Sequence, residues 1–136
     1  EVLVRVRATS VFAGDAEMRR MGVGIIFRLF LRLALGLIRP KRVTVLGQEL
    51  AGEIVQVGRE VTMFEVGDQV FATTGFGLGG YAEYKCLPQD ANIAQKPSNM
   101  TFEEATTIPV GGYNALHFIR LADIREGERV IVNGAG

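Results

Sequence analysis

The sequence contains one cysteine, Cys86, and one histidine, His117, in 136 residues. A lone thiol excludes an internal disulfide and fits a reducing, cytoplasmic setting. The same scarcity bears on metals. A structural zinc site needs about four thiolates and a catalytic one about three Cys, His or carboxylate ligands, so no zinc is expected. Long hydrophobic runs are missing too. The apolar stretches around 21–27 and 33–38 are interrupted by Arg28 and Arg32. Neither approaches the roughly 18–20 residues that span a bilayer, so stable membrane insertion is excluded. No secretory signal, internal repeat or low-complexity tract is visible in these residues, which open directly on a strand-like pattern. Basic residues are not interleaved with aromatics and match no nucleic-acid-binding motif, which argues against a nucleic-acid partner.

What is present is an ordinary globular composition, 48% hydrophobic and 22% charged, with 17 glycines. So many glycines imply tight turns and close backbone approaches, favouring a compact β-rich domain over a helical bundle. Net charge is zero but unevenly placed: residues 1–42 hold nine Lys/Arg against three acids, a net of +6, and the remainder balances it. The basic stretch 19–42 reads as a solvated lid whose Arg stems cover apolar surface, with a membrane-surface role as the alternative.

Hydrophobic periodicity gives the elements. Residues 2–9 alternate Val2, Val4, Val6, Ala8 against Leu3, Arg5, Arg7, Thr9, the period of a half-buried strand. A short helix is expected over 15–21, and a helix or ordered lid over 23–38, closed by Pro40. Residues 49–57 read as a strand, with Gly52 marking a bulge or close approach and Gly58 ending it. Gly67–Asp68 stands between two short apolar runs in 61–72, a hairpin signal. Residues 75–80 form a glycine-rich loop, and 81–87 and 91–95 two further strands. Short strands separated by glycine turns suggest a small, partly open β-barrel. Thr101, followed by Glu103 and Glu104, starts a helix. Residues 111–122 form an amphipathic helix with Leu116, Ile119 and Ala122 on one stripe. An apolar strand at 129–132 then runs into Gly134, Ala135 and Gly136. A strand entering glycines is how a dinucleotide-binding unit opens, although G-x-G alone is a weak sign.

The order of segments is more specific. GQELAGEIVQVG (47–58), VGDQVF (66–71), GGYAEYKCLP (79–88), KPSNMTFEEATTIPVGGYNALHFI (96–119) and EGERVIVNGAG (126–136) together resemble the medium-chain dehydrogenase/reductase superfamily. They are most similar to its zinc-independent quinone oxidoreductase and enoyl reductase branch. ATSVFAGDAEMR (8–19) falls where that family has its first cofactor-facing loop. The resemblance implies a fold of mainly β with helices: a GroES-like, partly open β-barrel, ending at the first strand of a Rossmann domain. It implies a substrate-side domain over 1–126, lacking an N-terminal hairpin, and the start of a dinucleotide-binding domain over 127–136. It further implies hydride transfer between NADPH or NADH and a small carbonyl compound of quinone or enone type, with a homo-oligomer allowed. These residues alone would be inactive.

Zinc-dependent members of the superfamily carry Cys where Phe12 stands and His where Gln48 stands. The zinc-free branch often has Asn at the position of Phe12, so Phe12 departs from both patterns. Asn114 stands where that branch often has Thr near the nicotinamide. The resemblance thus nominates Phe12, Gln48, Asn114, Gly134, Ala135 and Gly136 as cofactor contacts, with Phe12, Gln48 and Asn114 lining one concave surface. Tyr113 is the catalytic candidate. Glu49 either hydrogen-bonds a loop behind the site or simply begins a strand. Cys86 reads as a small core residue, Tyr81 and Tyr84 as barrel packing, and His117 as a helix-surface or packed histidine. The rival readings are a non-catalytic interaction protein, or a membrane-peripheral one, that kept the fold.

Overall fold

A computed structural model of the chain describes residues 1–20, 29 and 45–133. Nearly all of the expected 20–42 segment lies outside the described residues, as do Gly134, Ala135 and Gly136. Among the described residues five strands appear in chain order: β1 (Val2–Ala8), β2 (Glu49–Val57), β3 (Gln69–Thr73), β4 (Tyr84–Leu87) and β5 (Ile93–Gln95). Helix α1 (Ala13–Arg20) follows β1, and α2 (Phe102–Ala105) and α3 (Pro109–Ala122) follow β5. The strands form one antiparallel sheet in the order β4-β1-β2-β3-β5. The sheet is not closed, which is the partly open barrel expected.

The alternation in β1 sends Val2 and Val4 into the core, where they meet Leu50, Ile54, Phe64, Val70, Ala72 and Leu87. Each such side chain withdrawn from water contributes roughly 1.5–3 kcal/mol, so this cluster is the main source of cohesion. Arg5 and Arg7 point away from it and converge on Glu53 of β2, at 3.0 and 3.2 Å. Those two guanidiniums hold the Glu53 carboxyl below its ordinary value, Arg5 the more strongly. At Gly52 the backbone of β1 leaves no room for a side chain on β2: a Cβ there would stand 2.2 Å from the Arg5 carbonyl oxygen. The β1–β2 register shifts beside it, between Val6 and Ala8. The expected bulge or close approach is therefore both.

Several expectations need correction. Residues 61–66 are not a strand. Val61 packs on the core and Phe64 is buried, but Met63 and Val66 are exposed. The segment finds no ladder partner, because β3 pairs with β2 directly. Gly67, at φ 98°, instead turns the chain into β3. Cys86 is exposed rather than in the core. The short β4 pairs with β1 alone and turns Leu87 inward, leaving Tyr84 half exposed beside the thiol. Residues 129–132 carry no ladder bonds, and Val130, Ile131 and Val132 are exposed. Helix α3 forms as expected, yet its stripe of Leu116, Ile119 and Ala122 is exposed, as are Phe118 and Leu121. No helix among the described residues is long and apolar enough to cross a membrane.

Candidate functional site

Glu49 organises the end of the sheet where β2 begins. It is buried, at 3% exposure, at the head of a strand anchored by Leu50 and Ile54. Its carboxylate accepts hydrogen bonds in two directions. The Val110 N–H donates to Oε1 at 2.8 Å. The Ser10 hydroxyl donates to Oε2. Its backbone carbonyl also accepts from the Thr9 hydroxyl at 2.7 Å. Of the two readings of Glu49, the structure supports the loop-bonding one. A buried carboxylate is costly unless its lone pairs are satisfied, and here both oxygens are.

Beside it lies a second buried acid, Asp15, in the first turn of α1. Asp15 Oδ2 accepts the Phe12 N–H at 3.4 Å, and the Phe12 carbonyl accepts from the Asp15 and Ala16 amides. These bonds start α1. Asp15 Oδ1 and the Tyr81 hydroxyl are both buried, and neither completes a hydrogen bond. The two groups are nonetheless close enough to interact: burial first, then the Asp15 carboxyl and the charge of Glu49, push the Tyr81 phenol up to about 12. Tyr81 thus stays a neutral donor beside two carboxyl groups at neutral pH.

Tyr81 is placed by backbone. Gly47 has φ 95°, and a Cβ on it would fall 2.5 Å from the Tyr81 ring. Only glycine combines that conformation with that contact. The Leu46 and Gly47 carbonyls accept from the Tyr81 and Gly80 amides, each at 2.9 Å. Thr9 and Tyr81 then line an open recess of about 520 Å³ with Val6, Val11 and Glu83.

Phe12 is half-buried, and its ring folds over Gly14, where a Cβ would meet it at 2.6 Å. Gln48 is half-buried directly before Glu49, its carbonyl accepting the Thr74 amide at 2.7 Å. Asn114 is exposed on α3, one helical turn beyond Val110. Glu49 therefore joins the three backbone segments that carry Phe12, Gln48 and Asn114. Tyr113 belongs elsewhere: it is exposed and lines an apolar cavity of about 460 Å³ with Phe71, Thr73, Ile93, Ile108 and Leu116. Sequence reasoning missed Asp15, and it treated Tyr81 as packing. The available signal was an acid three residues after Phe12 and a Gly-Gly-Tyr run able to pack on Gly47.

Phe12 offers no donor atom, and Gln48 offers only a neutral amide. Among the described residues no group of three or more His, Cys, Asp or Glu could hold a metal. Neither Phe12 nor Gln48 supplies the thiolate or imidazole that a zinc ion takes. Thr9, Gln48, Tyr81 and Asn114 supply neutral hydrogen-bonding groups.

Residues 1–98 match the Alcohol dehydrogenase GroES-like domain family. A mitochondrial NAD(P)H oxidoreductase of Dictyostelium discoideum is 31% identical over 140 residues, covering 98% of this chain and 37% of its own length. The structure of the Coxiella burnetii quinone oxidoreductase superposes with a TM-score of 0.71 at 29% identity, over 93% of this chain and 38% of that one. The JamJ enoyl reductase gives 0.72 at 30% identity, over 94% of this chain and 36% of that one. The chain thus spans little more than a third of the length of these proteins.

Proposed function

The chain belongs to the alcohol dehydrogenase GroES-like domain family, within the medium-chain dehydrogenase/reductase superfamily, and from that premise we propose that it is the substrate-side domain of an NAD(P)H-dependent oxidoreductase. The substrate would be a small activated carbonyl compound, a quinone or an enone, the classes named for its structural neighbours. Residues 1–126 form this domain, and 127–136 begin the dinucleotide-binding one. The uncovered apolar stripe of α3 and the unpaired 129–132 run are consistent with a second domain packing there.

The observation that carries the reading is the Glu49 tie, which gathers the β1–α1 loop, the head of β2 and the first turn of α3 at one end of the sheet. NADPH or NADH, bound mainly by residues beyond this domain, would supply the hydride. This chain's own work is positioning and polarisation. Neutral donors such as Tyr81 and Asn114 can hold an acceptor carbonyl and stabilise the negative charge that grows on its oxygen. Tyr81 lines the recess, and the buried Asp15 and Glu49 carboxyl groups act on its phenol from behind.

The test is consumption of NADPH or NADH by the full-length protein with quinone and enone acceptors. Acceptor-dependent oxidation is expected, and no cofactor binding at all would refute the proposal. Elemental analysis should find no stoichiometric zinc, and about one zinc per chain would refute the zinc-independent reading.

A further inference from the structure

Helix α3 is capped in an unusual way. Its N-cap, Ile108, makes no side-chain capping bond, and Pro109 occupies the first helical turn. The Val110 N–H would be one of the orphan donors of that turn. It is satisfied instead by Glu49, 61 residues away in sequence. The contrast with α2 is instructive, because α2 carries its own capping box through Thr101 and Glu104. Among the described residues, the Glu49–Val110 bond is the one hydrogen bond between α3 and the sheet. Beyond that bond the helix is held by apolar contact near its start, where Pro109 is buried, while Leu116, Phe118, Ile119 and Leu121 are largely uncovered. The other carboxylate oxygen is committed to Ser10, two residues before Phe12.

We infer that Glu49 is a positioning residue: one buried carboxylate sets the separation between the helix bearing Asn114 and the loop bearing Phe12. It thereby shapes the slot in which nicotinamide and carbonyl acceptor meet. This inference rests on the proposed oxidoreductase function. Because Glu49 sits at the head of a core strand, it transmits the rigidity of the sheet to two segments that would otherwise move independently. The Tyr81 phenol feels the charge of Glu49, but it does not replace the bond to Val110.

The experiment compares Glu49→Gln, Glu49→Ala and Ser10→Ala in the full-length protein, with active sites counted by cofactor titration. In Glu49→Gln the amide oxygen still accepts from Val110 and the amide N–H can donate to the Ser10 oxygen. Its kcat should stay within about threefold of wild type. Glu49→Ala should lower kcat per active site about tenfold or more, leaving the KM for the cofactor within about threefold. Ser10→Ala cuts one arm only and should fall between them. It also carries the test if Glu49→Ala fails to fold. A purely structural role would reduce the number of active sites but not kcat at each. The inference is overturned if Glu49→Gln is as impaired as Glu49→Ala, or if the Ala variants turn over like wild type. Wild-type protein that binds no NAD(P)H would instead overturn the function itself.

Discussion

Replacing Gly52 with alanine probes a close backbone approach between β1 and β2. The added Cβ would lie 2.2 Å from the Arg5 carbonyl oxygen, 2.9 Å from Val4 Cγ1 and 3.0 Å from the Arg5 carbonyl carbon. A carbon meets a carbonyl oxygen comfortably at about 3.3–3.6 Å, so β1 and β2 must separate by roughly 1 Å. The obstacle is backbone, not the end of a flexible side chain, so no rotamer change relieves it. Overpacking of this kind costs about 1–3 kcal/mol, and weakening one neighbouring ladder bond adds about 1 kcal/mol. Against this, alanine restricts the unfolded chain and returns about 0.4–1 kcal/mol. The net expectation is a loss of about 1–3 kcal/mol. With a urea slope of about 1–3 kcal/mol per molar, the midpoint should fall by about 1 M, followed by circular dichroism. Gly111→Ala is the control, since a Cβ there meets nothing within 4 Å in the helix. It should stabilise by about 0.5–1 kcal/mol. A Gly52→Ala midpoint equal to or above wild type would refute the reasoning, because only a strand pair already looser than described could accept the methyl group.

Other consequences can be measured separately. Ultraviolet titration should show one tyrosine ionising near its elevated value of about 12, and Tyr81→Phe should abolish that late step. Because the folded value lies above the unfolded one near 10, the associated stability is complete below about pH 10 and is lost as pH rises towards 12. Glu53 behaves in the opposite sense: its carboxyl is held below 4.5 by Arg5 and Arg7, so its contribution is present above that value and lost as pH falls through the lowered one. Glu53→Gln should therefore flatten the acid limb of the stability profile, and an unchanged limb would show that the Arg pair does not hold Glu53 in solution. In the full-length protein Asn114→Ala should lower turnover about five- to a hundredfold, the loss of one hydrogen bond to the reacting group. Asn114 is exposed on α3, so stability should barely change, and unaltered kinetics would remove it from the site.

What the sequence revealed and what it hid follow one physical division. Features set by neighbours in the chain were legible. The alternation of Val2, Val4 and Val6 against Arg5 and Arg7 identified β1 and its outward charges, because a strand's side chains must alternate. Thr101 with Glu104 announced the start of α2, and both halves of that capping box are made, at 3.2 and 2.8 Å. Features set by what a segment packs against were not legible. The apolar run 61–66 had the composition of a strand but no available edge, since β2 had already paired with β3. Cys86 had the hydrophobicity of a core residue, yet β4 gives it the outward phase and gives Leu87 the inward one. The site divides in the same way. Gln48 and Phe12 were nominated by a family resemblance rather than by any local pattern, whereas Asp15 and Tyr81 come near each other where Gly47 admits the Tyr81 ring against its backbone. Glu49 was ambiguous for the same reason. Its partners Ser10 and Val110 lie 39 and 61 residues away, and no local pattern encodes a carboxylate whose role is to hold two distant segments together. Such a residue is recognised by asking where each orphan amide of a helix end finds its acceptor, which is a question the folded chain answers and a periodicity cannot.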